Sequence, residues 1–118
     1  MNVVVVDYGA GNTRSVRAAL THLGYESVVT SDARAIRDAE FVVLPGVGSA
    51  SSAMAHLNET GAASALRKRH RHGGSTLGIC LGMQLALEHS EEDGGVRGLG
   101  LLSGEVVRLH DSRVPRLG

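Results

Sequence analysis

Ser75-Thr76-Leu77-Gly78-Ile79-Cys80-Leu81-Gly82-Met83-Gln84 is the stretch that decides the fold. Ser75 to Ile79 reads as a short strand. Gly82 to His89 reads as a helix carrying Met83, Leu85, Ala86 and Leu87, and Cys80 stands where one becomes the other. A G-x-C-x-G at such a junction is the thiol form of the nucleophile elbow, a sharp strand-to-helix turn that exposes its central side chain. The flanking glycines suit a turn in which neighbouring backbone comes too close for a Cβ. At the head of a helix the sulfur would meet the positive end of the helix dipole, and the Leu81 N–H would point at a developing oxyanion. A lone cysteine at a strand end is more often a buried structural residue. The two glycines, with a strand before and a helix after, favour the exposed nucleophile.

Moving outward, the same strand-then-turn pattern recurs. Phe41-Val42-Val43-Leu44 is a strand that stops at Pro45-Gly46-Val47-Gly48, and Val3-Val4-Val5-Val6 is a strand that stops at Asp7-Tyr8-Gly9-Ala10-Gly11-Asn12. Continuous β-branched runs suit strands buried on both faces. Val16, Ala19, Leu20 and Leu23 fall at helical spacing over Thr13 to Leu23, and Gly24 is placed to end that helix. Ser27 to Thr30 reads as a further strand and Asp32 to Ala39 as a short helix or turn. A helical region from about Ser51 to Leu66 is interrupted at Gly61, and the basic run Arg67 to His72 ends at Gly73-Gly74. Ser90 to Gly98 reads as an acidic, glycine-rich loop, and Leu99 to Leu109 as a strand or hairpin. Strands alternating with helices predict an α/β fold, doubly wound, with a mostly parallel sheet and helices on both faces. Ligands in such folds bind beyond the carboxyl ends of the strands, where Asp7 to Asn12, Pro45 to Gly48 and Gly78 to Gly82 converge. The Pro45 to Gly48 turn could place a second oxyanion donor, from Val47 or Gly48, beside Cys80; an ordinary Pro-Gly turn is the plainer alternative.

Composition narrows the function. The chain has 118 residues, a prior of one domain. Twelve Lys+Arg balance twelve Asp+Glu, so no electrostatic argument favours nucleic acid or an anionic membrane as partner. Aromatics are 3%, which leaves Val, Leu, Ile and Ala to build the core. One cysteine excludes an intrachain disulfide and any cysteine-only zinc site. No apolar run approaches a membrane span, and Met1 leads into the first strand without a basic n-region, so a signal peptide is not expected. Gly9-Ala10-Gly11 is not a dinucleotide fingerprint, because Arg14 stands where the third glycine belongs. Six histidines offer no clear base. His70 and His72 belong to what reads as a solvated helix end, while His22 and His56 fall within helices. His89 is expected on the same helix as Cys80, too far along it to take the thiol proton. Only His110, in the last segment, stays open as a base, and otherwise the base lies outside this chain or the fragment is inactive.

The motifs carry a resemblance. Val6-Asp7-Tyr8-Gly9-Ala10-Gly11-Asn12, Leu44-Pro45-Gly46-Val47-Gly48, Leu77-Gly78-Ile79-Cys80-Leu81-Gly82-Met83-Gln84, Gly95-Val96-x-Gly98-Leu99-Gly100 and Val114-Pro115-x-x-Gly118 together resemble class I glutamine amidotransferases. Among them, the chain resembles the glutaminase subunits of imidazole glycerol phosphate synthase, in histidine biosynthesis. The resemblance implies a flavodoxin-like fold and hydrolysis of L-glutamine to glutamate and ammonia. Cys80 would form a glutamyl thioester. Val47, Gly48 and Leu81 would form the oxyanion hole, and Gln84 and Glu92 would hold glutamine. Asn12, Pro115 and Gly118 would face a cyclase subunit that receives the ammonia and makes imidazole glycerol phosphate and AICAR. No cofactor and no metal are implied, and the setting is cytoplasmic. Ser49-Ala50-Ser51 departs from the Ala-Phe-Gly usual in the family. The family's catalytic histidine and glutamate lie in a His-x-Glu-like segment far beyond the nucleophile. The expectation is therefore that residues 1–118 are the N-terminal part of one amidotransferase domain, its C-terminal part missing, and inactive alone. The alternatives are a non-catalytic glutamine-binding or regulatory module, or the glutaminase of another class I member such as pyridoxal phosphate synthase.

Overall fold

The computed structural model describes residues 1–9 and 12–110. Strands β1 (Val3–Val6), β2 (Ser27–Thr30), β3 (Phe41–Leu44) and β4 (Ser75–Gly78) pair in parallel in the order β2-β1-β3-β4. Helix α1 (Thr13–His22) joins β1 to β2, and α2 (Ala33–Asp38) joins β2 to β3. Helices α3 (Ala50–Thr60) and α4 (Ala62–Arg71) join β3 to β4, and α5 (Leu81–Leu85) follows β4. The doubly wound α/β arrangement is the one the strand runs predict.

Alternation along the strands sorts the core into two layers. Val4, Val6, Val42 and Leu44 face one side and pack with Ile36, Leu57, Leu66, Leu81 and Leu85 from α2 to α5. Val3, Val5 and Val43 face the other and pack with Val16 and Leu20 of α1. All four residues of β1 are buried, as its position between β2 and β3 requires. Each such Val or Leu contributes ~1.5–3 kcal/mol through burial. The helix ends follow local chemistry. Asp32 Oδ2 accepts from Ala35 N–H at 3.2 Å and Ser49 Oγ from Ser52 N–H at 3.2 Å, two N-caps. Gly24 (φ +90°) ends α1, and Gly61 (φ +80°) separates α3 from α4.

Three expectations are corrected. The helix after Cys80 ends at Leu85, not His89. The carbonyls that would continue it are taken from outside: Leu85 O accepts from Leu99 N–H at 2.7 Å, Ala86 O from Leu101 N–H at 2.8 Å and Leu87 O from Gly100 N–H at 3.0 Å. His89 therefore lies on a strand, β5 (His89–Ser90). Secondly, Ser90 to Gly98 is not all loop, and of the strand or hairpin expected over Leu99 to Leu109 a two-residue strand forms. β5 pairs antiparallel with β6 (Val96–Arg97) and parallel with β7 (Glu105–Val106), a small second sheet around a 3₁₀ turn at Glu92–Gly94. Thirdly, the basic run is not uniformly solvated. α4 continues through it, and Arg69 is only 3% exposed. The Arg69 guanidinium donates to the carbonyls of Ile36 (2.9 Å), Ala39 (2.8 Å) and Ser75 (2.7 Å) and to Thr76 Oγ1 (3.1 Å). Pro115 and Gly118 lie outside the described residues, as does Gly11. No helix among the described residues is long and apolar enough to cross a membrane.

Candidate active site

From β1 the chain passes to β2 at one edge, then returns across β1 to β3. A crevice opens at such a reversal, beyond the carboxyl ends of the strands. Tyr8 follows β1 there, Pro45 to Gly48 follow β3, and Cys80 follows β4.

Cys80 is exposed and sits at φ +56°, ψ −116°, a backbone conformation that L-residues rarely adopt and that costs ~1–3 kcal/mol. The surroundings hold it. Ile79 N–H donates to Leu44 O at 3.0 Å, Gly82 N–H closes a tight turn onto Ile79 O at 3.0 Å, and Gln84 N–H donates to Cys80 O at 3.2 Å. A Cβ on Gly78 would stand 2.8 Å from Met83 Cα, and a Cβ on Gly82 would overlap the Leu44 carbonyl. Both glycines of G-x-C-x-G are thus required by space. The elbow expected from the sequence is present, on a helix of one turn.

Three successive carbonyls of the neighbouring turn are each held. Leu44 O accepts from Ile79 N–H, Gly46 O from Leu81 N–H at 3.3 Å, and Pro45 O from the Tyr8 hydroxyl at 2.5 Å. Burial first, and the neighbouring Cys80 second, push the Tyr8 phenol up to about 12, so it is a donor at neutral pH. Val47 and Gly48 are exposed, and Gly48 has φ +110°. Because Gly46 O faces Leu81, the planar trans peptide sends the Val47 N–H the opposite way. The Leu81 N–H, expected to face an oxyanion, is engaged by Gly46 in this conformation.

Gln84 is half-buried on α5, one turn from Cys80. Glu92 is exposed and reaches the start of α3, its Oε1 3.4 Å from Ala50 N. Beside it, Asp93 Oδ2 accepts from the hydroxyls of Ser49 (2.7 Å) and Ser51 (3.0 Å) and from Ser51 N–H (3.3 Å). These bonds, the Ser49 hydroxyl foremost, hold the Asp93 carboxyl below the usual carboxylate range. The acidic turn is thereby strapped to the residues that follow Pro45 to Gly48. Asn12 is exposed at the head of α1, and its side chain does not cap the helix. His89 is half-buried on β5, and His110 is exposed. Among the described residues, no three His, Cys, Asp or Glu gather as a metal site. Sequence reasoning missed Arg69, Asp93 and the Tyr8 hydroxyl. Arg69 had a readable signal, since it shares helical spacing with Ala62, Ala65 and Leu66. Nothing local marks the other two.

Comparison with known proteins agrees with this arrangement. The chain is 47% identical over 120 residues to the imidazole glycerol phosphate synthase subunit HisH of Aquifex aeolicus, covering 100% of the chain and 58% of that relative. It is 48% identical over 117 residues to the subunit of the same name from Moorella thermoacetica, covering 98% and 56%. The match to a subunit of that name from Thermus thermophilus is 43% over 118 residues, covering 100% and 60%. The chain thus spans between half and three-fifths of the length of these relatives. A crystal structure of a glutamine amidotransferase superposes with a TM-score of 0.75 at 23% identity, over 86% of this chain and 54% of that one, a likeness of fold. The model of the CobB/CobQ-like glutamine amidotransferase domain matches residues 10–116, and the chain belongs to that family.

Proposed function

We propose that the protein containing this chain is the glutaminase subunit of imidazole glycerol phosphate synthase, and that residues 1–118 form the N-terminal part of its single domain. The observation that carries the reaction is the exposed Cys80, at φ +56° beside the Pro45 to Gly48 turn. The Cys80 sulfur attacks the carboxamide carbon of L-glutamine, and the carbonyl electron pair moves onto oxygen. Collapse of that oxyanion breaks the C–N bond, and the nitrogen leaves with a proton as ammonia. Water then cleaves the thioester to glutamate and restores the thiol. The oxyanion is received by backbone N–H groups of Leu81 and of Val47 or Gly48. This requires the Gly46–Val47 peptide to turn, which releases Leu81 and aims Val47 inward. Gln84 and Glu92 hold the amino acid. Asn12, Pro115 and Gly118 face the cyclase subunit, which takes the ammonia in the cytoplasm. The proton-transfer pair is supplied from outside residues 1–118, so this stretch alone is alkylated at Cys80 by iodoacetamide yet releases no ammonia from glutamine.

The test is Cys80→Ala in the complete protein with its cyclase partner. Ammonia release is expected to vanish with the fold retained, and an electrophilic glutamine analogue is expected to label Cys80 alone. Substantial ammonia release by the variant would sink the assignment.

A further inference from the structure

We propose that Tyr8 is a positioning residue for this glutaminase reaction: its hydroxyl holds the Pro45 carbonyl and so sets where the Pro45 to Gly48 turn stands relative to Cys80. The inference rests on the reading above and adds a residue to it.

The β1–β3 ladder is regular over Val3↔Phe41, Val4↔Val42 and Val5↔Val43 and then stops. Beyond it the two chains part. Asp7 N–H turns to Thr30 O of β2 at 3.0 Å, and Gly9 N–H turns back to Asp7 Oδ1 at 3.1 Å. Neither of these backbone donors reaches the Pro45 carbonyl. On the facing side, Leu44 O and Gly46 O both point toward the Ile79 to Leu81 segment, so strand alternation sends Pro45 O toward β1. Pro45 is fully buried, where an unpaired carbonyl would be costly. The Tyr8 hydroxyl donates to the Pro45 carbonyl at 2.5 Å. Tyr8 itself is 2% exposed and packed in the core.

The phenol also sets the space around the next residue. A Cβ on Gly46 would overlap the Tyr8 hydroxyl and stand 2.9 Å from its Cζ and 3.2 Å from Leu81 Cβ. Tyr8 therefore touches the turn on one side, while the turn touches the residue after Cys80 on the other. The Gly46–Val47 peptide must rotate to aim an N–H at an oxyanion, and it can do so with its neighbour fixed. A Tyr8 that merely filled the core would contribute stability and leave the chemical step alone.

Tyr8→Phe keeps the ring and removes the donor. In the complete protein with its cyclase partner, assayed well below the melting temperature of the variant, kcat for glutamine is expected to fall about tenfold or more. KM is expected to stay within about twofold, because the loss falls on the transition state. Adding Gly46→Ala tests the contact: the double variant is expected to melt above Gly46→Ala alone, since the overlapping oxygen is gone. If Tyr8→Phe does not fold, a difluorinated tyrosine at position 8 keeps the shape but loses its proton at lower pH. The alkaline limb of kcat is then expected to move down in pH, and an unmoved limb overturns the proposal. Parental kcat in Tyr8→Phe beside an inactive Cys80→Ala overturns the role of Tyr8 and leaves the reaction standing. An active Cys80→Ala overturns both.

Discussion

The turn at Gly78 to Gly82 and the segment from Ala86 to Val106 use one device in two settings. In the first, a Cβ on Gly82 would overlap the Leu44 carbonyl; in the second, a Cβ on Gly98 would overlap the Leu87 carbonyl. Each glycine lets a loop backbone lie against another chain. The settings differ in what the glycine leans on. Gly82 leans on a sheet of four parallel strands, each four residues long. Gly98 leans on the Leu85 to Leu87 backbone at the end of α5, beside strands two residues long that are held by loop bonds such as Glu88 N–H to Gly104 O at 3.0 Å and Glu91 N–H to Val106 O at 2.9 Å. The lesson is that glycine marks close approach in both places, while the strength of the wall behind it decides what a substitution does.

Gly82→Ala gives the largest effect. The wall cannot yield, and the loss is expected to exceed ~3 kcal/mol, the upper range for overpacking. Gly98→Ala is expected to cost less, ~1–3 kcal/mol, and to spare alkylation of Cys80 by iodoacetamide. Denaturant titration with alkylation alongside checks both, and equal losses would break the contrast by showing that the two regions unfold as one. Next comes Gly48→Val. Its φ of +110° strains a β-branched residue, at ~1–3 kcal/mol of stability. Loss of one oxyanion donor costs ~2.7–4 kcal/mol of transition-state stabilisation. Turnover is therefore expected to fall more than stability, as kinetics and melting measured on one preparation would reveal; parental kcat would remove the turn from the site.

Arg69→Met is expected to cost about 3 kcal/mol, because the buried carbonyls of Ile36, Ala39 and Ser75 lose their charged donor. Lys68→Met, one residue earlier and exposed, is expected to stay within ~0.5 kcal/mol. Matching unfolding midpoints for the two would show that the guanidinium holds nothing. The smallest effect belongs to the strap on the second region. The Asp93 carboxyl is lower in the folded state than in the unfolded chain, so its contribution is present above the ordinary aspartate value and lost as pH falls through the lowered one. Asp93→Asn is therefore expected to flatten the acid side of the melting-temperature profile, leaving the portion due to Asp38, which Arg37 also lowers. An unchanged profile would detach the acidic turn from α3.

The two regions also differ in how they could be read. Val3–Val6 and Phe41–Leu44 predict buried strands from side-chain type alone, and the G-x-C-x-G predicts an exposed elbow because a strand precedes it and a helix follows. Gly24 and Gly61 mark helix ends through the φ they allow. These are local rules, satisfied within a few residues, and the chain states them directly. His89 shows where such rules stop. Helical spacing carried the helix to it, but Leu99, Gly100 and Leu101 take the carbonyls of Leu85, Leu87 and Ala86 from more than ten residues away. The same holds for Tyr8 on Pro45, Asp93 on Ser49 and Arg69 on Ile36, each a polar contact across at least 30 residues. The order of β1 to β4 and α1 to α5 along the chain, and the turn that exposes Cys80, were determined by the sequence itself. The partner of each buried polar group was decided by tertiary structure, because hydrogen bonds are satisfied by whatever donor the folded chain brings within reach, and no local pattern encodes that neighbour.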